Sequence, residues 1–192
     1  RCGDADVFHG LIKELGAVLA GKSGILSQWY QKHGIVCGLA ELLRGAAQHG
    51  AEQRASLADA AGTALVPVVQ KESHEETRQL ACSTLGKWML HSAASTALPS
   101  AVEAALRAGL TNQKVAATPL LSALNEMTSA REATSAAKLE GLADTLAALV
   151  ETAQKRPQAS HPDAVVALCV WLRVGQACAT VRSAVAASWK LG

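Results

Sequence analysis

Apolar residues recur at helical spacing along almost the whole chain, and no segment shows a convincing strand pattern. Val7, Phe8, Leu11, Ile12, Leu15, Val18 and Leu19 form one stripe, with Gly21 placed to cap the helix that carries it. A short helix is expected after Ser23, burying Ile25, Leu26, Trp29 and Tyr30. Next, Ile35, Val36, Leu39, Leu42, Leu43 and Ala46 share a face, and Gly50 is expected to end it. Another helix runs from Ala51 toward Val69, where Pro67 is expected to kink or split it.

Ser73 and Glu76 fit a capping box, followed by Leu80, Ala81, Thr84, Leu85, Trp88 and Met89 on one side. Pro99 suits a first helical turn ahead of Val102, Ala105, Leu106 and Leu110. Helical patterns resume over 113–128, with Pro119 expected to bend the chain, and over 131–155. A break at Pro157–Pro162 precedes two last helices, over 163–174 and 178–190.

Composition agrees with this reading. Alanine, the best helix former, fills 39 of the 192 positions, and only six residues are aromatic. That disfavours sandwiches, barrels and RNA modules that mount aromatics on a sheet. A net charge of +2 is low for a dedicated DNA-binding domain. The longest wholly apolar run, Ala164–Leu172, is far short of the roughly 20 residues that span a bilayer. Cys2, Cys37, Cys82, Cys169 and Cys178 form no C-x-x-C pair, so a reducing, cytoplasmic setting is expected. Cys37, Cys82 and Cys169 read as small core residues.

The expected architecture is all-α, roughly ten helices in about four to five HEAT-like pairs of an α-solenoid. Small side chains suit closely stacked layers. The chain, 1–192, is expected to be one HEAT-repeat segment of a longer solenoid, since it opens on Arg1 without an initiator methionine.

Catalytic motifs are weak. Gly16 to Ser23 satisfies G-x-x-x-x-G-K-[ST], yet that loop works between a strand and a helix, and Leu11–Leu19 has helical periodicity. A helix ending at Gly21, with Ser23 capping the next, is preferred. His74-Glu75-Glu76-Thr77-Arg78 puts Arg78 where H-E-x-x-H needs its second zinc ligand. Leu39-Ala-Glu-Leu42-Leu43 matches L-x-x-L-L, which any amphipathic helix can generate. No catalytic residue, cofactor site or metal site is assigned. Lys22, Lys32, Arg44, Lys155, Arg156 and Arg173 sit near helix ends, where a solenoid would line them along one edge as a phosphate-binding ridge.

The run Lys71-Glu72-Ser73-His74-Glu75-Glu76-Thr77, then Leu80-Ala81, Leu85-Gly86-Lys87-Trp88 and Leu98-Pro99, resembles the N-terminal HEAT array of the large general-control (Gcn) translational activators. Leu110, Lys114 and Val115 continue the likeness, as do Glu151, Ala153, Val165-Val166-Ala167-Leu168 and Ser188-Trp189-Lys190-Leu191. It covers 64–192; Ala116, Pro119 and Asp163-Ala164 depart from the family pattern. The resemblance implies a non-catalytic scaffold that rides on ribosomes and promotes activation of the initiation factor 2 alpha kinase in amino-acid starvation, the integrated stress response. It implies an ABC-type ATPase as a possible partner, and no kinase contact on this segment. Glu72, His74, Glu75, Thr77, Trp88, Pro99 and Trp189 are the family-like structural positions. The competing readings are an importin-like HEAT or armadillo adaptor and a nucleotide hydrolase acting through Gly16–Ser23.

Overall fold

The structure, a computed structural model, describes residues 4–21, 28–46, 48–91, 98, 100–112, 116–129, 136–155 and 161–189. The Asp4 carboxylate opens the first helix by accepting the Asp6 N–H at 3.0 Å. Gly21, at φ 75°, closes it in the left-handed conformation that glycine adopts without steric cost. Among the described residues the fold is all-α, with nine α-helices and no strand. They are α1 (Ala5–Leu19), α2 (Trp29–Ala46), α3 (Ala51–Lys71), α4 (Glu75–His91), α5 (Ser100–Thr111), α6 (Thr118–Ser129), α7 (Ala143–Lys155), α8 (His161–Ala177) and α9 (Ala179–Trp189). A 3-10 turn, Glu140–Leu142, leads directly into α7.

Several boundaries differ from expectation. Trp29 and Tyr30 do not belong to a buried short helix; they open α2 and are exposed, while Ser23, Ile25 and Leu26 lie outside the described residues. The core begins to cover α2 only at Val36. Gly50 caps the start of α3 rather than ending α2. Pro67 does not split α3, which is continuous from Ala51 to Lys71. The carbonyl that Pro67 deprives of a partner belongs to Thr63, on the exposed side, where water can serve it. Pro119 stands in the first turn of α6, where its missing N–H needs no partner, instead of interrupting a helix. Val7 and Leu11 are exposed, because only Phe8, Ile12 and Leu19 of their stripe face the core fully.

Packing follows a rule of two. α1 packs on α3 and α3 on α5; α2 packs on α4, α4 on α6 and α6 on α8. Consecutive helices also pair, most extensively α3 with α4, α7 with α8 and α8 with α9. The residues in contact give the directions. His9 meets Ser56 and Gly16 meets Ala64, so α1 and α3 run parallel. Arg78 reaches Ala116 and Gly86 meets Ala123, so α4 and the chain into α6 run parallel as well. α3 and α4, joined by 72–74 alone, pack as an antiparallel hairpin.

Small residues set the spacing. A Cβ on Gly16 would lie 2.9 Å from the Ala64 Cβ, and one on Gly86 would lie 3.3 Å from the Ala123 carbonyl oxygen. Helices therefore approach closely there, and one core runs from Phe8 through Leu39, Leu65, Trp88, Leu120 and Leu146 to Val181. Cys82 and Cys178 are buried, but Cys37 is exposed on α2 and not a core residue.

Candidate functional site

A cluster of polar and aromatic side chains gathers where the start of α2 meets the α3–α4 corner. Glu72 leaves α3 in extended conformation, with its N–H donated to the Val68 carbonyl. Its carboxylate then accepts the His74 backbone N–H at 3.0 Å and the Lys32 Nζ–H at 2.6 Å. Glu72 is 4% exposed. Burial by itself would raise its pKa, but the Lys32 bond and charge, with the His74 and Ser73 N–H groups, hold it below the usual carboxylate value.

The capping role expected of Ser73 belongs to His74. Its Nδ1 accepts the Thr77 N–H at 3.4 Å and lies 3.0 Å from Thr77 Oγ1. An accepting Nδ1 places the His74 ring proton on Nε2. The Thr77 hydroxyl then donates to His74, and His33, whose Nδ1 is 3.3 Å from the same oxygen, donates to it. The Trp29 indole stacks on the His74 ring, with centroids 3.9 Å apart and planes 7° from parallel. Trp29 also meets Tyr30 and His33 edge-on.

The depressed Glu72 carboxyl carries a pH prediction. Its stabilisation is fully present above the unfolded carboxylate value, near 4.3, and is lost as pH falls through the lower folded value. Urea unfolding at a series of pH values is therefore expected to show stability falling on acidification below about pH 4. Glu72→Gln should flatten that limb; an unchanged limb would refute the assignment.

Directly after this corner comes Arg78, 1% exposed on α4. Its Nε donates to the Val69 carbonyl at 3.1 Å and its Nη1 to the Ala116 carbonyl. One guanidinium thus ties the end of α3 to the segment entering α6. Burial lowers the Arg78 pKa, and burial pushes the Cys82 thiol one turn on up to about 11, so that thiol is protonated and unreactive at neutral pH.

The motif residues take structural places. Gly16 lies inside α1 against Ala64, not in a phosphate loop, while Lys22 and Ser23 fall outside the described residues. Arg78 is a buried clamp instead of a ligand position, and the described residues hold no group of three or more metal-ligating side chains. Leu39 and Leu43 of the L-x-x-L-L match are buried. His9 Nε2 lies 3.1 Å from Ser56 Oγ, a base–nucleophile distance. Both sit within helices, where their own backbone N–H groups are taken up by helical hydrogen bonds.

The described members of the expected basic ridge are engaged and do not share one edge. Lys32 pairs with Glu72, and Arg44 pairs with exposed Glu41. They stand in the first and last turns of α2, about 18 Å apart at the helical rise. Arg173 donates from α8 to Asn125 Oδ1 at 2.6 Å and to Ser129 Oγ at 2.7 Å on α6. Lys155 ends α7; its side chain, like Lys22 and Arg156, lies outside the described residues. Of the family-like positions, Glu72, His74 and Thr77 build the corner, Glu75 opens α4 and Trp88 is fully buried. Pro99 and the Trp189 side chain lie outside the described residues.

Two features escaped the sequence reading. Arg78 shares a face with Ala81, Leu85 and Trp88, so a lone cation on an apolar stripe was its visible signal. The exposure of Trp29 and Tyr30 had none, because aromatics beside an apolar stripe read as core.

Comparison of the chain with protein-family models, with curated proteins and with solved structures gave no match.

Proposed function

We propose that the chain is a segment of a non-catalytic α-solenoid of HEAT-like helix pairs whose product is a binding surface. The observation that carries this reading is the rule of two: α1, α3 and α5 form one row and α2, α4, α6 and α8 another, each packed on the helix two places along. Successive pairs begin at Ala5, Ala51, Ser100 and Ala143, roughly 45 residues apart, the length of a HEAT or armadillo repeat. No described helix is long and apolar enough to cross a membrane.

The resemblance over 64–192 extends the proposal to a cytoplasmic, ribosome-associated translational activator of the initiation factor 2 alpha kinase, with an ABC-type ATPase as a possible partner. What supports it is that Glu72, His74, Thr77 and Trp88 occupy joints of the scaffold, as family-like structural positions would. An importin-like adaptor is the second reading, favoured by the engagement of Lys32, Arg44 and Arg173, which leaves them less free for phosphates. Cosedimentation with polysomes separates the two. Salt-sensitive association, weakened by Lys155→Glu with Arg156→Glu, is expected for the activator. Unchanged polysome association after deletion of 1–192 from the full-length protein would remove ribosome contact from this segment.

A further inference from the structure

The chain has six aromatic residues, and two of them, Trp29 and Tyr30, stand exposed side by side at the start of α2. Trp29 is 44% and Tyr30 57% accessible. Trp29 is also held in place. One ring face is covered by His74, its edges meet Tyr30 and His33, and His74 is itself fixed through Thr77. A ring immobilised before binding loses little rotamer freedom on contact, which is the property of an anchor residue.

Charge around the rings selects the partner. Glu75 and Glu76 follow His74 directly, are exposed, and have no ion-pair partner among the described residues. Glu72 and Lys32 neutralise each other beneath them. Lys71, exposed, lines the same hollow as Lys32 and Glu72, together with Leu19, Gly21 and Pro67. With Lys32 and Glu72 paired, the corner therefore carries two exposed carboxylates, Glu75 and Glu76, against one exposed cation, Lys71. Such a surface repels phosphates and favours a cation flat enough to lie on an aromatic ring, which describes arginine.

We propose that the Trp29–Tyr30 corner docks an arginine-containing peptide segment of a protein partner. The guanidinium lies on the exposed rings, and its N–H groups reach the Glu75 and Glu76 carboxylates. Neutral apolar peptides lack the second contact, and nucleic acid meets like charge.

The test is fluorescence anisotropy of a labelled tetra-arginine peptide titrated with the 192-residue chain. Saturable binding is expected, with tetra-citrulline, which keeps the shape without the charge, failing to compete. Trp29→Ala and the double variant Glu75→Gln/Glu76→Gln should each weaken binding about tenfold. The glutamates are exposed, so the double variant stays informative if Trp29→Ala loosens the corner. The proposal falls if the anisotropy shows no saturation up to millimolar concentrations of the chain. It falls equally if the glutamine variant binds unchanged, if citrulline competes equally, or if a single-stranded RNA oligonucleotide binds in the peptide's place.

Discussion

Replacing Trp88 by alanine is expected to cost about 4 kcal/mol, enough to lower the melting temperature by roughly 10 °C in a chain of this size. Trp88 is fully buried on α4, in the cluster that joins the two rows. Its indole Nε1 has no hydrogen-bond partner among the described residues, so the side chain acts through volume and contact alone. Phenylalanine should therefore recover about half of the loss, because it returns most of the volume and leaves no N–H to satisfy. Urea unfolding of Trp88→Ala and Trp88→Phe, followed by far-UV circular dichroism, checks both. Equal losses for the two variants would contradict a purely volumetric role.

Arg78→Leu is the second large effect, at about 2–3 kcal/mol. The buried Val69 carbonyl would lose its donor at about 1–3 kcal/mol, while the Ala116 carbonyl, on an exposed residue, can turn to water at smaller cost. Removing a charge from the interior offsets part of that loss, since burying a guanidinium is itself unfavourable. Arg78→Lys should fall between, because one ammonium cannot match the fork that reaches both oxygens. The locus of the damage is the sharper readout. Hydrogen exchange should accelerate at the α3–α4 corner and at the start of α6 before it changes in α1 or α9. Uniform acceleration along the chain would mean that Arg78 does not act as a local clamp.

The all-helical fold was legible in the sequence because a period of 3.6 is written into each segment locally. Gly21 as the closing residue of α1, the helix start near Ser73, and the last two helices needed no tertiary information. The errors share a cause. Trp29, Tyr30 and Cys37 read as core because they are apolar, but whether an apolar residue is covered depends on what packs over it. Pro67 and Pro119 read as breaks because their effect depends on which carbonyl loses a partner and which way it faces. The candidate site was half legible. Glu72, His74 and Thr77 stood out as a group, but the partners Lys32 and His33 lie 40 and 44 residues away, and no local pattern links them.

By itself, then, the sequence determined helices, their approximate limits and a non-polar face on each. Which helices touch was decided in three dimensions. Gly16 against Ala64 and Gly86 against Ala123 let helices two places apart approach; the α4–α6 approach brings Arg78 the Ala116 carbonyl, and the α3–α4 hairpin brings it that of Val69. The same packing covers Val36 onward and leaves Trp29 and Tyr30 outside. Helix formation is governed by neighbours within four residues, whereas burial and hydrogen-bond partnership depend on surfaces brought together across tens of residues.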